Sequence, residues 1–400
     1  MSQRHSEMKN PRILFLHNRC MGYRKPLFNM LAEKHDVCFF FTDEKEVGGL
    51  RAYYSSLKRF GLGPFRFTPN LLSILSSKRY DLVIFPPADL PGELLDNLIC
   101  FLVTKIRRKP YLIWSEKWNW KEDKKFLIRR FYLALDQFVM GYICRSAAAC
   151  ISDGMKHKEY LLSLNVSEKK IFIAPPASVV SQGSDECGVN RIKDEIGLAN
   201  QKVILYVGRL IKRKGVNYLI EAFAKTKKEI DFAHLFIIGG EGLYGKTGED
   251  RLSIDQLKTQ SEGLGLKLNH DIFFLGDVED RVLLKSYLIC NVFVLPGINY
   301  MTGEPWGLVL NEAMQFGKPV ISTDAVGAAY DLIEDGINGY MVPEKDVEAL
   351  CAALIKVLSD PKLQEKMGME SRRIISRYKY EDMFRGFDKA INYALRLNEE

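Results

Sequence analysis

Two glutamates placed around a predicted helix start are the residues whose types and spacing best suit chemistry. Glu304 opens the loop segment EPWG, and Glu312 lies about two turns into a helical pattern that ends near Phe316. A helix start leaves backbone N–H groups unpaired and carries a partial positive charge. Such an end binds anions, most often phosphate. The segment 297–324 therefore predicts an anion site with a carboxylate on either side.

Two cations in the segment GRLIKRKG could balance a bound anion. Arg209 directly follows an apolar run and a glycine, and Lys214 lies five residues further on. Permanent cations beside an anion site suit a diphosphate. A solvated basic turn is the alternative, and we prefer that interpretation for Lys212 and Arg213. Arg209 is expected to emerge at the site.

An alternation of short apolar runs with helical patterns predicts how these residues are positioned. The apolar runs in the first half are residues 12–16, 36–41, 80–85, 110–114, 148–152 and 170–174. Those in the second half are residues 203–207, 235–238, 272–275, 292–295, 319–322 and 339–343. Strands that are apolar throughout and alternate with helices indicate parallel sheets covered on both faces, an α/β fold. Such sheets bind ligands at the carboxyl ends of their strands.

The length of 400 residues favours two domains. Residues 1–11 are predicted to be a disordered lead-in, and 12–180 a first Rossmann-like domain that takes the acceptor. A segment poor in large apolar residues, 181–200, is predicted to be the linker. A second Rossmann-like domain is expected over 201–375, and a C-terminal helix within 376–400 is expected to return to the first domain.

Glycines follow four consecutive strands of the second domain. They occur at Gly208, in the run from Gly239 to Gly242, at Gly276 and at Gly297. Glycine lets a backbone approach a ligand closely. Turn chemistry alone explains any one of them, but four together favour a site of nucleotide size.

Composition excludes several classes of protein. The hydrophobic fraction of 47% and charged fraction of 27% are typical of globular proteins. The start, MSQRHSEMKN, has no signal-peptide pattern, and no apolar run approaches the ~20 residues that span a bilayer. The eight cysteines contain no C-x-x-C pair, which argues against a disulfide framework and a structural zinc site. We therefore expect a cytoplasmic protein.

Positive charge is concentrated in the first half of the chain. Residues 1–180 contain 29 Lys and Arg against 17 Asp and Glu, whereas the remainder contains 28 against 33. The first half is thus expected to face something anionic, such as a membrane surface, a phosphorylated lipid or nucleic acid. No recognition motif supports nucleic acid, and a merely soluble basic surface is the remaining alternative.

The motifs GRLIKRKG, FIIGGEG, FFLGDV, NVFVLPG and EPWGLVLNEAMQFGKPVIST, in this order, resemble those of glycosyltransferase family 4, the group 1 type. The resemblance covers residues 201–345 and extends more weakly over the first domain. It implies the GT-B fold, in which two Rossmann-like domains face a cleft and the C-terminal helix packs back on the first. It also implies a retaining, metal-independent enzyme that needs no cofactor. The donor would be a UDP- or GDP-sugar, and the acceptor a glycan or lipid-linked molecule in polysaccharide, glycolipid or glycoconjugate biosynthesis.

The resemblance also implies roles for single residues. Glu304 would contact the transferred sugar near the reacting centre, and Glu312 would bind the ribose hydroxyls. Arg209 and Lys214 would neutralise the leaving diphosphate. The other positions expected to contact the donor are Gly307 and Leu308 at the helix start, Val278 near the base, and Trp306, Gly208, Gly240 and Gly22.

Two departures from the family pattern concern the first domain. The loop HNRCMGYR has the single glycine Gly22 where many members have several, and no histidine follows the strand that ends at Trp114. Glu116 stands there instead. It is expected either to hold a hydroxyl of the acceptor or sugar, or to pair at the surface with Lys117 or Lys121.

The stretch KWNWKEDKKFLIRRFYLALDQF, residues 117–138, interleaves aromatic and basic side chains. This pattern suits a membrane interface, and equally a core helix with a charged outer face. We assign Trp118 and His17, with Glu116, to the acceptor side. We expect peripheral contact of the first domain with an anionic membrane. Competing interpretations of the whole chain are a sugar-nucleotide epimerase of similar shape and a non-catalytic protein that binds nucleotide sugars.

Overall fold

The computed structural model of the chain describes residues 11–42, 50, 54–57, 60–62, 65–86, 94–118, 127–178, 200–241, 251–300 and 303–397. These residues form two compact units. The first contains the described residues up to Pro176 and those from Tyr380 onward, and the second runs from Ala177 to Lys379. The predicted lead-in and linker, apart from Pro11 and Asn200, lie outside the described residues.

The first unit is built on a parallel sheet of seven strands in the order β3-β2-β1-β6-β7-β8-β9. The strands are β1 Arg12–His17, β2 Asp36–Phe41, β3 Tyr54–Ser56, β6 Leu82–Phe85, β7 Tyr111–Ser115, β8 Ala149–Ser152 and β9 Ile171–Ile173. A separate antiparallel pair consists of β4 Phe60–Leu62 and β5 Phe65–Phe67.

Helices cover both faces of this sheet. They are α1 Lys25–Lys34, α2 Asn70–Ser77, α3 Leu94–Ile106, α4 Leu127–Ser146, α5 Met155–Ser163 and the C-terminal α13 Tyr380–Arg396. One core includes Leu75 of α2, Val103 of α3 and Ile143 of α4, which places these three helices in one layer. On the other face Phe387 of α13 stacks on Phe15, with ring centroids 6.1 Å apart. The C-terminal helix therefore packs on the first unit, as the predicted fold requires.

The second unit has a parallel sheet of six strands in the order β12-β11-β10-β13-β14-β15. The strands are β10 Lys202–Val207, β11 Ala233–Ile238, β12 Ile272–Gly276, β13 Val292–Leu295, β14 Val320–Thr323 and β15 Gly339–Val342. The helices are α6 Val216–Glu229, α7 Ile254–Gly263, α8 Asp280–Ile289, α9 Val309–Gln315, α10 Ala329–Leu332, α11 Val347–Ser359 and α12 Pro361–Ile375.

The apolar character of the strands and their parallel pairing explain this arrangement. Every residue of β11 and β13 is buried, as expected for strands covered by helices on both faces. Because all six strands are parallel, their carboxyl ends lie along one edge. The strand order brings the ends of β10, β11, β12 and β13 side by side at that edge.

Candidate active site

A buried ion pair lies in the loops that follow β10 and β13. Glu304 and Lys214 are 8% and 7% exposed, and Lys214 Nζ lies 2.9 Å from Glu304 Oε2. Arg213 joins the pair: its Nε lies 3.8 Å from the same oxygen, and its Nη1 donates to the carbonyl of Gly303 at 3.1 Å. We preferred a solvated turn for Arg213, and that interpretation is wrong because the guanidinium holds the loop that presents Glu304.

The charges around Glu304 keep it ionised. Burial raises the pKa of Glu304, but Lys214, then Arg213 and Arg209, more than offset this and leave the pKa below its usual value. Burial lowers the pKa of Lys214, and the attraction of Glu304 opposes that effect only in part. One carboxylate thus lies among three cations, and the excess positive charge suits a dianionic or trianionic ligand.

Arg209 is held at the carboxyl end of β10 through its backbone. The hydroxyl of the buried Tyr206 donates to the carbonyl of Arg209 at 2.9 Å. Arg209 is half-buried, and its side chain lies close enough to Glu304 to lower the pKa of that carboxyl. The structure therefore brings together the three residues that the sequence analysis assigned to catalysis.

The glycines at this edge shape the backbone. At Gly239 a Cβ atom would lie 2.1 Å from the carbonyl oxygen of Gly208, and φ is +126°, so only glycine fits. The amide of Gly239 donates to Gly276 and that of Gly240 to Asp277 Oδ1, at 2.8 and 2.9 Å. Gly208 likewise donates to Ile238. These amides already have protein acceptors, so the glycines bring strand ends together and do not present N–H groups.

Glu312 lies in the first turn of α9, not two turns into it. Helix α9 begins at Val309, because Gly307 has φ +100° and cannot continue a helix, while Glu304 pairs with Val326 in an isolated bridge. Leu308 is the residue that caps the helix. The position of Glu312 relative to the helix start was therefore predicted wrongly.

A buried tyrosine orients the Glu312 carboxylate. Tyr287 donates to Glu312 Oε2 at 2.7 Å, and its ring stacks on Phe316 at 5.4 Å. Burial raises the pKa of Glu312, and the bond from Tyr287 opposes the rise without cancelling it. A carboxylate with one oxygen fixed in this way can accept further bonds from a diol.

Two of the predicted donor contacts lie largely in the core of the second unit. Trp306 is 5% exposed, and its indole N–H donates to Asn311 Oδ1 at 2.9 Å. Val278 is half-buried against the same core. At Trp306 a ligand would therefore contact mainly the backbone. The resemblance implies a backbone contact at Val278 as well.

A second polar cluster lies in the first unit, at the carboxyl ends of β1 and β7. Arg24 donates to Glu116, and its Nη1 lies 2.8 Å from His17 Nε2. The guanidinium also lies over the Trp114 ring, 4.9 Å from its centroid. Glu116 therefore pairs with Arg24, which the sequence analysis missed; an ion pair with Lys117 is not seen, and Lys121 is outside the described residues.

The remaining acceptor-side residues differ in exposure. His17 is fully buried, and burial followed by the charge of Arg24 sets its pKa well below the usual value, so the ring is neutral. Trp118 is 4% exposed. Gly22 is exposed, with open space where a side chain would begin. The cluster of His17, Arg24 and Glu116 is therefore the polar part of this edge.

The described parts of the chain contain no group of three or more His, Cys, Asp or Glu side chains arranged to hold a metal ion. Within the same ranges, no helix combines the length and the apolar character that crossing a bilayer requires.

Sequence comparison relates the second unit to enzymes of known class. A family model described as "Glycosyl transferases group 1" matches residues 189–374. Phosphatidyl-myo-inositol mannosyltransferase of Mycobacterium leprae is 32% identical over 178 residues, which are 44% of this chain and 42% of that protein. The glycosyltransferase CapM of capsular polysaccharide biosynthesis in Staphylococcus aureus is 28% identical over 268 residues, 65% of each chain. The chain thus spans less than two-thirds of the length of either relative.

Structural comparison covers almost the whole chain. Alr3699/HepE of Anabaena, solved with UDP, has a TM-score of 0.73 at 17% identity, over 95% of this chain and 99% of that one. WaaG, a glycosyltransferase involved in lipopolysaccharide biosynthesis, has a TM-score of 0.66 at 18% identity, over 96% and 99%. At such identities the likeness establishes the fold, which is GT-B. The region that matches the group 1 glycosyl transferases contains the motifs that resemble family 4, and the fold is the one that this resemblance implies.

Proposed function

We propose that this protein transfers a sugar from a nucleoside-diphosphate sugar to a glycan or lipid-linked acceptor, with retention of anomeric configuration and without a metal ion. The observation that carries the proposal is the buried Glu304 carboxylate among Lys214, Arg213 and Arg209, at the carboxyl edge of the second sheet. This edge is where ligands bind in open α/β sheets.

The cations would act on the leaving group. Cleavage of the bond between sugar and diphosphate leaves negative charge on the departing oxygen, and fixed positive groups stabilise that charge as it develops. Lys214 and Arg213 are already held in place by Glu304 and by the carbonyl of Gly303, so little reorganisation is needed. The low dielectric of a buried site strengthens their effect.

Glu304 would act on the sugar. The sugar gains oxocarbenium character as the bond breaks, and a nearby ionised carboxylate can orient or stabilise it. We propose that the acceptor hydroxyl attacks from the face of the leaving group and that the departing phosphate takes its proton. No side chain is then needed as a base, and we assign none.

Other residues of the second unit would bind the donor. We propose that Glu312, oriented by Tyr287, accepts hydrogen bonds from the ribose hydroxyls. Gly307 and Leu308, at the start of α9, would approach the phosphates, and Val278 the base. The strand ends at Gly208 and Gly240 would shape this edge for the donor. Gly22, on the first unit, keeps its assignment as a donor contact.

The relatives support a nucleotide-sugar donor without selecting its base. HepE was solved with UDP-glucose, and a matching mannosyltransferase of Mycolicibacterium smegmatis is described as GDP-mannose-dependent. The relatives described above are named for transfer to phosphatidyl-myo-inositol and for the synthesis of capsular polysaccharide and lipopolysaccharide. These names favour transfer over epimerisation or ligand binding alone.

We place the acceptor at the first unit. The cluster of His17, Arg24 and Glu116 offers a fixed carboxylate and a neutral imidazole that could bind sugar or acceptor hydroxyls. Trp118 is assigned to this side by its sequence position, although it is buried. We also propose that the protein lies in the cytoplasm and contacts the membrane peripherally.

The experiment that tests the function begins with a thermal-shift screen of UDP, GDP and their common sugars. A ligand that binds only the folded state raises the apparent melting temperature. The donor so found is incubated with candidate glycan and lipid-linked acceptors, and the product's anomeric linkage is read by NMR. We expect a product with the donor's own configuration, formed equally with and without a chelator. An inverted product, or donor epimerised in the absence of acceptor, would contradict the proposal.

A further inference from the structure

Two neighbouring helices of the first unit present large apolar side chains to solvent. On α3, Leu102 is 56% exposed and Ile106 80% exposed. On α4, Phe138 is 74% exposed and Tyr142 54% exposed. Single exposed apolar residues are common on soluble proteins, but a contiguous group of this kind marks an interaction surface.

These side chains form one surface. Leu95, Leu102 and Ile106 are spaced by seven and four residues, so they lie on one side of α3. The rings of Phe101 and Tyr142 are 5.6 Å apart and join this side of α3 to α4. We call this surface the α3/α4 face, and it consists of Leu95, Leu102, Ile106, Leu135, Phe138 and Tyr142.

Helix α3 carries almost no charge to offset its apolar face. Its charged residues are Asp96 and Lys105. Asp96 is fully buried and accepts hydrogen bonds from the backbone N–H and hydroxyl of Thr68, at 2.8 and 2.9 Å. A surface helix of a globular domain normally turns charged and polar residues outward. On the outer side of α3, by contrast, the first charged residue is Lys105, near the end of the helix.

Cations gather where α3 ends. Two open depressions adjoin at Lys109. Basic residues lining the first are Lys105, Arg108, Lys109 and Lys170. Those lining the second are Arg12, Arg79, Arg107 and Lys109, together with the acidic residues Asp36 and Asp81. Positive charge therefore exceeds negative charge along this border, which begins directly beside Ile106.

We propose that the α3/α4 face docks on an anionic lipid bilayer, with its apolar side chains in the interfacial region and the cations among the headgroups. Helices that lie in a bilayer interface combine these two features. Each cation near an anionic membrane surface strengthens binding about fivefold. A second copy of this chain would fit the α3/α4 face less well than a bilayer does. The described side chains of the face include no acid that could pair with the basic border of the other copy.

This surface overlaps the one that the sequence predicted only at Leu135 and Phe138. The interleaved aromatic and basic stretch 117–138 suggested the contact, but its residues 119–126 lie outside the described ranges. The proposed contact lies on α3 and on α4 from Leu135 onward, where apolar exposure and positive charge adjoin. The docking builds on the membrane contact in the proposed function and gives it a surface. It does not rest on the transfer reaction, so a failure of flotation and a failure of sugar transfer are distinguishable.

The test is flotation of the full chain with vesicles of phosphatidylcholine, alone or mixed with phosphatidylglycerol. We expect the wild type to float with the mixed vesicles and Leu102→Ser/Ile106→Ser to bind about tenfold more weakly. Phe232→Ser/Met369→Ser, which alters exposed apolar residues of the second unit, is the matched control and should bind as the wild type does. All four positions are exposed, so folding, checked by circular dichroism, should be preserved.

A second pair of variants tests the cations. Lys105→Glu/Arg108→Glu should abolish the preference for mixed vesicles, whereas Lys362→Glu/Lys366→Glu, on exposed positions of α12, changes the net charge equally and should not. Failure of the wild type to float, or equal losses in both charge variants, would overturn the proposal. So would a dimer in light scattering that Leu102→Ser/Ile106→Ser dissociates without any vesicle binding, because the face would then join two copies.

Discussion

At the scale of single residues, burial and neighbouring cations leave Glu304 charged and His17 neutral. Glu304 is buried but stays ionised because three cations outweigh the cost of its desolvation. His17 is buried beside Arg24, and both burial and that charge disfavour its protonated form. Ionisable groups perturbed in this way cluster at functional sites, and the two lie at the carboxyl edges of the two sheets.

His17 predicts a pH dependence of stability. Its pKa in the folded state is well below the ordinary 6.5, so the unfolded chain takes up a proton first as pH falls. The stability that the neutral ring contributes is present above pH 6.5 and is lost below it, by about 1.4 kcal/mol per pH unit, until the folded pKa is reached. Urea unfolding of His17→Gln should show a smaller loss between pH 7 and pH 5 than the wild type.

The matched control for this experiment is His270→Gln. His270 has an exposed side chain, and its replacement should leave the wild-type pH dependence in place. Equal pH profiles for the wild type and His17→Gln would show that His17 is not the group responsible.

Tyr287 predicts an effect on donor binding without an effect on chemistry. Tyr287→Phe keeps the ring stacked on Phe316 and removes the bond to Glu312. Loss of one such bond costs about 1 kcal/mol, which corresponds to about a fivefold weaker donor affinity. This bond also opposes the rise in the pKa of Glu312, so its loss should raise that pKa further. As the pH is lowered, the donor affinity of the variant should therefore begin to fall at a higher pH than that of the wild type. An unchanged KM for the donor at all pH values would show that Glu312 does not contact it.

At the scale of elements, the edge of the second sheet is shaped by close backbone approach. Gly239→Ala would place a Cβ atom 2.1 Å from the carbonyl of Gly208. Gly265 also has a positive φ, +82°, but open space around it, so Gly265→Ala measures backbone strain alone. We expect Gly265→Ala to cost about 1 kcal/mol and Gly239→Ala at least about 2 kcal/mol more, with loss of nucleotide binding only in the latter. Equal unfolding free energies for both would show that the approach is not constrained.

The sequence predicted the elements whose signals are local. Twelve apolar runs in alternation with helical patterns indicated parallel sheets, and the long buried runs of β10, β11 and β13 were identified correctly. The segments β3, β4 and β5 were missed because three residues are too few to show a period of two. Leu308 was correctly placed at the start of α9, but Glu312 was placed a turn too deep in the helix, because the positive φ of Gly307 cannot be read from residue type.

Contacts between distant residues explain the rest of what was missed. Arg24 and Glu116 are 92 positions apart, and Arg213 meets Glu304 from a different strand end. No periodicity or motif spacing relates such pairs, so their partners appear only when the sheet is assembled. The proximity of Glu304, Lys214 and Arg209 was predictable because each occurs in a motif that follows a buried strand.

At the scale of the whole molecule, the C-terminal helix completes the first unit. Phe387 of α13 is fully buried, and its ring lies 5.0 Å from Trp114 and 6.1 Å from Phe15. Phe387→Ala should cost about 3 kcal/mol or more by leaving a cavity. Since the two units have separate cores, calorimetry should show a lowered transition for the first unit, with nucleotide affinity at the second unit retained. A uniform shift of one transition would show that the units unfold together.

The central claim is that Glu304 serves the transfer of the sugar and not the binding of the nucleotide. The most direct test measures both quantities in Glu304→Gln, which keeps the side-chain shape and removes its charge. Glu348→Gln, at an exposed carboxylate of the same unit, is the control. We predict that kcat for Glu304→Gln falls by about 100-fold or more, while its affinity for the nucleoside diphosphate is kept or increased, because Lys214 and Arg213 lose their counter-charge. A wild-type kcat in Glu304→Gln would contradict the account.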